Sequence, residues 1–382
     1  MKDLKGKKDV RACARKTSIG GQALMEGIMM RGPKNSAMAV RNTKGEIVIE
    51  EFETKGAKRP KICRLPLIRG IFGYIDSMAV GYKCLMRSAE LSGLEDLVEE
   101  SPRKKKKREA AEKAKVARQE VVADTVQSVD ADADPLSEPK NDTADKKDPN
   151  TTEGKKLPSW VMTLLMVVSV VFAVVLGLGL FMYLPAKLYD LLSSNVGFLQ
   201  TENNALASLY KSVFEGVMKI VLLVGYMALI TLMKDIRRTF MYHGAEHKTI
   251  FCYEAGEELT VENVRKQRRF HPRCGTSFLI LMLLVSIFIS FFIDPITIAI
   301  RGEVLPPILR TAVKLLLLPL IVGLGYELIK FAGRHDNALT RIISAPGVWL
   351  QHVTVFEPTD DMIECAIEAM KRAIPKDDSD NW

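Results

Sequence analysis

Three of the five histidines, His243, His247 and His271, fall within 29 residues of one another. The first two belong to His243-Gly-Ala-Glu246-His247-Lys248. On a helix, positions i and i+4 share one face, so two neutral imidazoles there can grip one divalent metal ion. Glu246 lies beside them, suited to a ligand or a general base. The H-x-x-E-H order is that of an inverted zincin. His271-Pro-Arg-Cys274 follows, and a histidine and a thiolate three apart are good zinc donors. Four protein ligands (His243, His247, His271 and Cys274) would close the site, whereas three plus water would leave it open for catalysis. Glu327, an ionisable residue within an apolar run, is a further candidate ligand. Each residue also has a plainer reading. A histidine can be a satisfied polar group, Cys274 a small buried hydrophobe, and Glu327 the partner of Lys330 or of an arginine from the 234–275 connection.

The elements that must position these side chains are apolar. The chain has 382 residues, is 47% hydrophobic and carries a formal charge of +8. Its apolar residues are clumped into stretches long enough to cross a bilayer, which excludes a soluble cytosolic enzyme. Four spans are expected: Ser159–Phe181, Gly216–Met233, Thr276–Ile293 and roughly Leu315–Ile329. Lys219 is placed to snorkel, and Asp294-Pro295 to end the third span. The first 16 residues are basic with no apolar core behind them, so no cleavable signal peptide is expected. The basic balance fits positive-inside loops as well as nucleic acid, and no nucleic-acid partner is expected.

Lysine and arginine counts orient the spans. The connection 234–275 has nine, against two in each of the segments 183–212 and 295–312. The histidine-bearing connection and both termini are therefore placed in the cytoplasm of a multi-pass cell-membrane protein. The six cysteines all fall in segments assigned to that reducing side, so no disulfide framework is implied.

Outside the spans, residues 1–60 read as a β-rich module with strands Ala37–Arg41 and Ile47–Phe52. His352–Phe356 has strand composition and would add to that sheet, with Asp360–Ala373 a closing amphipathic helix, so that residues 334–382 complete the module. Residues 61–92 hold an amphipathic helix, lying on the membrane or packed on the bundle. Residues 93–157 read as a charged, disordered linker, with no aromatic residue from 101 onward. The fold class is thus mainly α: about four transmembrane helices, an interfacial helix and a small cytoplasmic α+β module. No P-loop or dinucleotide fingerprint is present, and Gly20-Gly21, Gly27 and Gly32 read as turn glycines.

Several longer motifs carry a resemblance. They are Gly20-Gly-Gln-Ala-Leu-Met-Glu-Gly-Ile-Met-Met-Arg-Gly-Pro33, His243–Lys248, His271-Pro-Arg-Cys-Gly-Thr-Ser-Phe278, Gly325-Tyr-Glu-Leu-Ile-Lys330 and Ala332-Gly-Arg-His-Asp336. In these the chain resembles the YqhQ-like family of bacterial membrane proteins, over about residues 18–92 and 205–372. The resemblance implies a bacterial membrane protein from a domain family of unknown function, commonly labelled a predicted metal-dependent enzyme. Where that family usually reads like Leu-Thr-Thr-Arg, this chain has Val353-Thr-Val-Phe356.

The expected function is a metal-dependent enzyme, zinc the first choice, with hydrolysis as its reaction and Glu246 as general base. Its substrate would be a lipid or a membrane-proximal peptide. The alternative is a non-enzymatic scaffold or assembly factor with a structural metal. Topology is checked by thiol labelling of single-cysteine variants in intact cells. An impermeant reagent is expected to reach a cysteine at Asn203 and not one at Asn263.

Overall fold

The computed structural model describes residues 16–54, 65–93, 159–199, 204–335 and 337–380, together with Pro60, Cys63 and Thr201. The linker expected over 93–157 lies outside the described residues, apart from Gly93. Four strands come first: β1 Gly20–Leu24, β2 Gly27–Arg31, β3 Asn35–Arg41 and β4 Ile47–Glu53. They form one antiparallel sheet in the order β1-β2-β3-β4, with Gly21 opposite Met30 and Met29 opposite Met38.

Both faces of this sheet are covered, which explains why β2 reads as a continuous apolar run rather than an alternating one. Ile28, Met30 and Ala39 point to one core, shared with Tyr242, Ala245, Met362, Ala366 and Met370. Met29, Met38 and Val40 point to the other, against Cys84, Val80 and Leu85. The first core comes from helices α5 Lys234–Glu254 and α11 Asp360–Ala373, the second from α1 Ile68–Leu91. Gly20-Gly21 and Gly27 therefore lie in strands, not turns. Edge pairing and burial override the turn preference of glycine there.

The apolar helices follow. Helix α2 Ser159–Leu178 passes through a π-helical turn, Gly179–Tyr183, into α3 Leu184–Asn195. Next come α4 Asn204–Ile230, the short α6 Val261–Lys266 after α5, and α7 Gly275–Arg301. The pair α8 Pro307–Leu316 and α9 Leu318–Arg334 is bent by 46°. Among the described residues three helices are long and apolar enough to cross a membrane, at Val167–Asn195, Leu206–Ile230 and Gly275–Arg301, or four if the bent pair is one span. The protein is mainly helical with a small four-stranded sheet.

Four expectations need correcting. His352–Phe356 is not a strand, because α10 Ala338–Thr354 runs through Thr354. A reciprocal Asn337–Thr340 capping box starts that helix and satisfies its first amides, overriding the β preference of Val353 and Thr354. Among the described residues, 334–382 accordingly supply helices and no strand. Helix α7 does not stop at Asp294-Pro295 but continues to Arg301, and Gly302 ends it in the left-handed conformation. Lys219 does not snorkel: it is buried, with Glu215 at 3.9 Å.

Helix α1 is not isolated on a membrane surface. Its first turns seat on α9, where a Cβ on Gly70 would lie 2.7 Å from Cβ of Tyr326. Arg69 closes the seat through an ion pair to Glu327. At Gly73 an added Cβ would meet Tyr326 only at 3.8 Å, an ordinary contact. The two glycines should therefore respond oppositely to alanine. Gly73→Ala is expected to gain about 0.5–1 kcal/mol of helix propensity. Gly70→Ala should lose about 1–3 kcal/mol through overpacking. Thermal unfolding of the two purified variants checks the sign.

Candidate metal centre

Helix α5 does two jobs. One face carries Tyr242 and Ala245 into the sheet core, and the other carries His243 and His247. The two rings sit 4.4 Å apart between centroids at an angle of 62°. Cys274 arrives from the N-cap of α7, where its sulfur accepts the amide of Thr276 at 3.4 Å. His243 Nε2 lies 3.0 Å from Cys274 Sγ. One ligand atom each from His243, His247 and Cys274 lies within 4.8 Å of the others, and all three residues are buried. A tetrahedral zinc ion holds its ligand atoms roughly 3.3–3.8 Å apart, so the group is of the right size.

The other ring nitrogens fix the tautomers. His243 Nδ1 faces the carbonyl of Thr354 at 3.0 Å, and His247 Nδ1 faces the carbonyl of Arg269 at 2.6 Å. A carbonyl only accepts, so each Nδ1 must donate, and in the neutral ring, the form that binds a metal, Nε2 presents its lone pair to the centre. His247 Nε2 is buried with no partner in the protein, an orphan that an ion would satisfy. The residues present fit a metal ion.

Burial opposes charge on His243, but the neighbouring Cys274 thiolate outweighs it and pushes the imidazole up to about 9. Burial likewise opposes the Cys274 thiolate, yet the charges of His243 and His247 draw the thiol well below its usual range. The buried core thiols behave oppositely: burial pushes Cys252 and Cys365 up to about 11. Cys274 is thus set apart as an anionic donor.

Glu246 is buried beside the pair, and burial raises its carboxyl despite the two imidazoles. Its Oε2 has no partner. Its side chain lies over Gly21 of β1, where an added Cβ would come within 2.7 Å of Glu246 Cδ. Gly244 is similarly constrained, since a Cβ there would lie 2.0 Å from the carbonyl oxygen of Phe356. The glycine inside the His-Gly-Ala-Glu-His motif lets the segment after α10 cross α5 at contact distance. Gly21 also lines a cavity of about 450 Å³ walled by Gly20, Gln22, Met29, Arg31 and Ser77.

The remaining candidates are elsewhere. His271 packs near His247, with ring centroids at 5.5 Å, but is outside the three-residue group. Its Nδ1 accepts the amide of Arg273 at 3.3 Å, and burial followed by the Arg273 charge holds it well below the ordinary histidine range. Glu327 is committed to Arg69 on α1 and stands apart from the histidines. Sequence reasoning missed Gln351. Its amide bonds both the amide and carbonyl of His271, at 2.8 and 2.6 Å, and the Ser277 hydroxyl at 3.0 Å. That clamp holds the loop before α7 and hence Cys274. A glutamine in an apolar helix was its only sequence signal.

A mainly helical protein with three or four helices apolar enough to cross a membrane, and with a buried His-His-Cys group at the junction of sheet and helices, is the class defined here. The model of a family described as "Protein of unknown function (DUF1385)" matches residues 65–376, and the chain belongs to that family. It is similar to the uncharacterized protein YqhQ of Bacillus subtilis (strain 168), 28% identical over 363 residues, covering 94% of this chain and 92% of that protein. No solved structure matches the chain.

The metal group is checked by elemental analysis of purified protein. His243→Ala and His247→Ala should each lose most of the bound metal. His352→Ala, an exposed histidine on α10, should retain it.

Proposed function

We propose that this protein is a membrane-embedded, metal-dependent hydrolase, with zinc held by His243, His247 and Cys274 at the cytoplasmic face. The observation that carries this is the pair of imidazoles whose Nδ1 atoms are tied to carbonyls while the Nε2 of His247 is buried and unpartnered. Three protein ligands leave a fourth position for water, the pattern of catalytic rather than structural zinc. A bound divalent ion supplies Lewis acidity and a more acidic water.

The chain's own residues do the rest. Glu246, raised by burial and unpartnered at Oε2, takes the proton of the attacking water and passes it to the leaving group. Gly21 leaves the room that Glu246 occupies and also forms part of the wall of the cavity bearing Arg31. Arg31 is held in place by Asp76 and by Ser77 at 3.2 Å. The substrate is a lipid head group or a membrane-proximal peptide presented at that cleft. Both termini lie on the same cytoplasmic side, in keeping with the basic 234–275 connection.

A second reading rests on a separate observation. Cys274 caps a helix and faces His243 at 3.0 Å, the arrangement of a thiolate–imidazolium nucleophile. Glu246→Gln separates the two. In the metalloenzyme it keeps the metal and lowers turnover by about 10²–10⁴-fold, read as lost complementation of a deletion strain. In the thiol enzyme a chelator has no effect, whereas it abolishes function in the metalloenzyme.

A further inference from the structure

A second group of ionisable side chains lies far from the histidines. Glu215 and Lys219 of α4, Asp294 of α7, and Arg310 and Lys314 of α8 meet inside the apolar helices. Arg310 bridges Glu215 at 3.2 Å and Asp294 at 2.9 Å, and Lys314 reaches Glu215 at 3.3 Å. Ser208 donates to Asp294 at 2.7 Å, and Arg310 donates to the Ser212 hydroxyl at 3.4 Å. Asp294 and Cys274 are twenty residues apart on one helix, so about 30 Å separates the two centres, the thickness of a bilayer's hydrocarbon.

The charges do not balance. Three cations face two carboxylates, and Glu215 is shared among Lys219, Arg310 and Lys314. Lys219 stands only 3.9 Å from its carboxylate. An uncompensated charge among apolar helices is costly, and ionisable groups there mark functional sites by default. Two atoms are also orphaned. Asp294 Oδ1 and Arg310 Nε are buried without partners, on side chains 1% and 9% exposed.

We propose that this cluster is a binding site for an oxyanion of single net charge that carries its own hydroxyl. The negative charge offsets the excess cation. The ligand's oxygens accept from Arg310 Nε and the Lys219 ammonium, and its hydroxyl donates to Asp294 Oδ1. Dihydrogen phosphate and the phosphate-glycerol head group of phosphatidylglycerol share this chemistry.

The test uses full-length protein, delipidated in detergent and exchanged into phosphate-free buffer. Thermal unfolding is followed against inorganic phosphate, short-chain phosphatidylglycerol or chloride. A saturable rise in Tm with phosphate assigns the free anion, and one confined to the lipid assigns the head group. Lys219→Met removes the excess charge, so it should be at least as stable as wild type without ligand and show no rise. Should that variant not accumulate, radiolabelled phosphate or lipid binding to wild type is expected at one saturable site per chain. No saturable response in wild type, an equal response to chloride, or an undiminished response in Lys219→Met would overturn the proposal.

Discussion

Two backbone carbonyls govern the chemistry of the histidine pair. Thr354 O and Arg269 O each accept a hydrogen bond from the Nδ1 of one imidazole and so leave both Nε2 atoms facing the centre with Cys274. Neither carbonyl belongs to the helix that carries the histidines. Thr354 ends α10, and Arg269 lies in the loop before α7. The centre therefore depends on three segments arriving together, and the packing around α5 is arranged to deliver them. The Gln351 clamp fixes the loop, the bare backbone at Gly244 admits the strand-like exit of α10, and the N-cap of α7 brings in the thiolate.

The sheet is the platform for this arrangement. It is small, and a four-stranded sheet with one open face would be a weak support. Here α1 covers one face while α5 and α11 cover the other. Helix α5 is thus held by a core on one side and free to hold donors on the other. Buried ion pairs tie the ends to it: Arg273 meets Glu254, whose carboxylate also takes the amide of Thr17 at 2.8 Å. Pairs of this kind contribute more to fixing one arrangement than to net stability.

The unpartnered polar atoms of the two clusters differ in kind. Around the histidines the unpartnered atoms are a ring nitrogen and a carboxyl oxygen beside a thiolate, which suits a cation. Around Arg310 they are a guanidinium N–H and a carboxyl oxygen within an excess of cations, which suits an anion. The same helix, α7, has Cys274 of the first group at its N-cap and Asp294 of the second within its length.

Much of this was legible in the residues. The helical spacing of His243 and His247, the strands around Asn42–Gly45 and the amphipathic helix Asp360–Ala373 follow from periodicity and turn chemistry, which are local. So do the apolar helices, because length and hydropathy need no partner. What distance in sequence hides was decided by the fold. Gly20-Gly21 looks like a turn until pairing with β2 and the press of Glu246 make it a strand. His352–Phe356 looks like a strand until a capping box at Asn337 and Thr340 starts a helix that runs through Thr354. Glu327 looked available until Arg69, 258 residues away, took it. Cys274 and His271 were equal candidates in sequence, separated only by which one the helix N-cap turns toward His243. Residue types and spacing set which chemistry was possible, and burial with long-range hydrogen bonding chose among the possibilities, because only a packed interior removes the water that would otherwise satisfy every polar group alike.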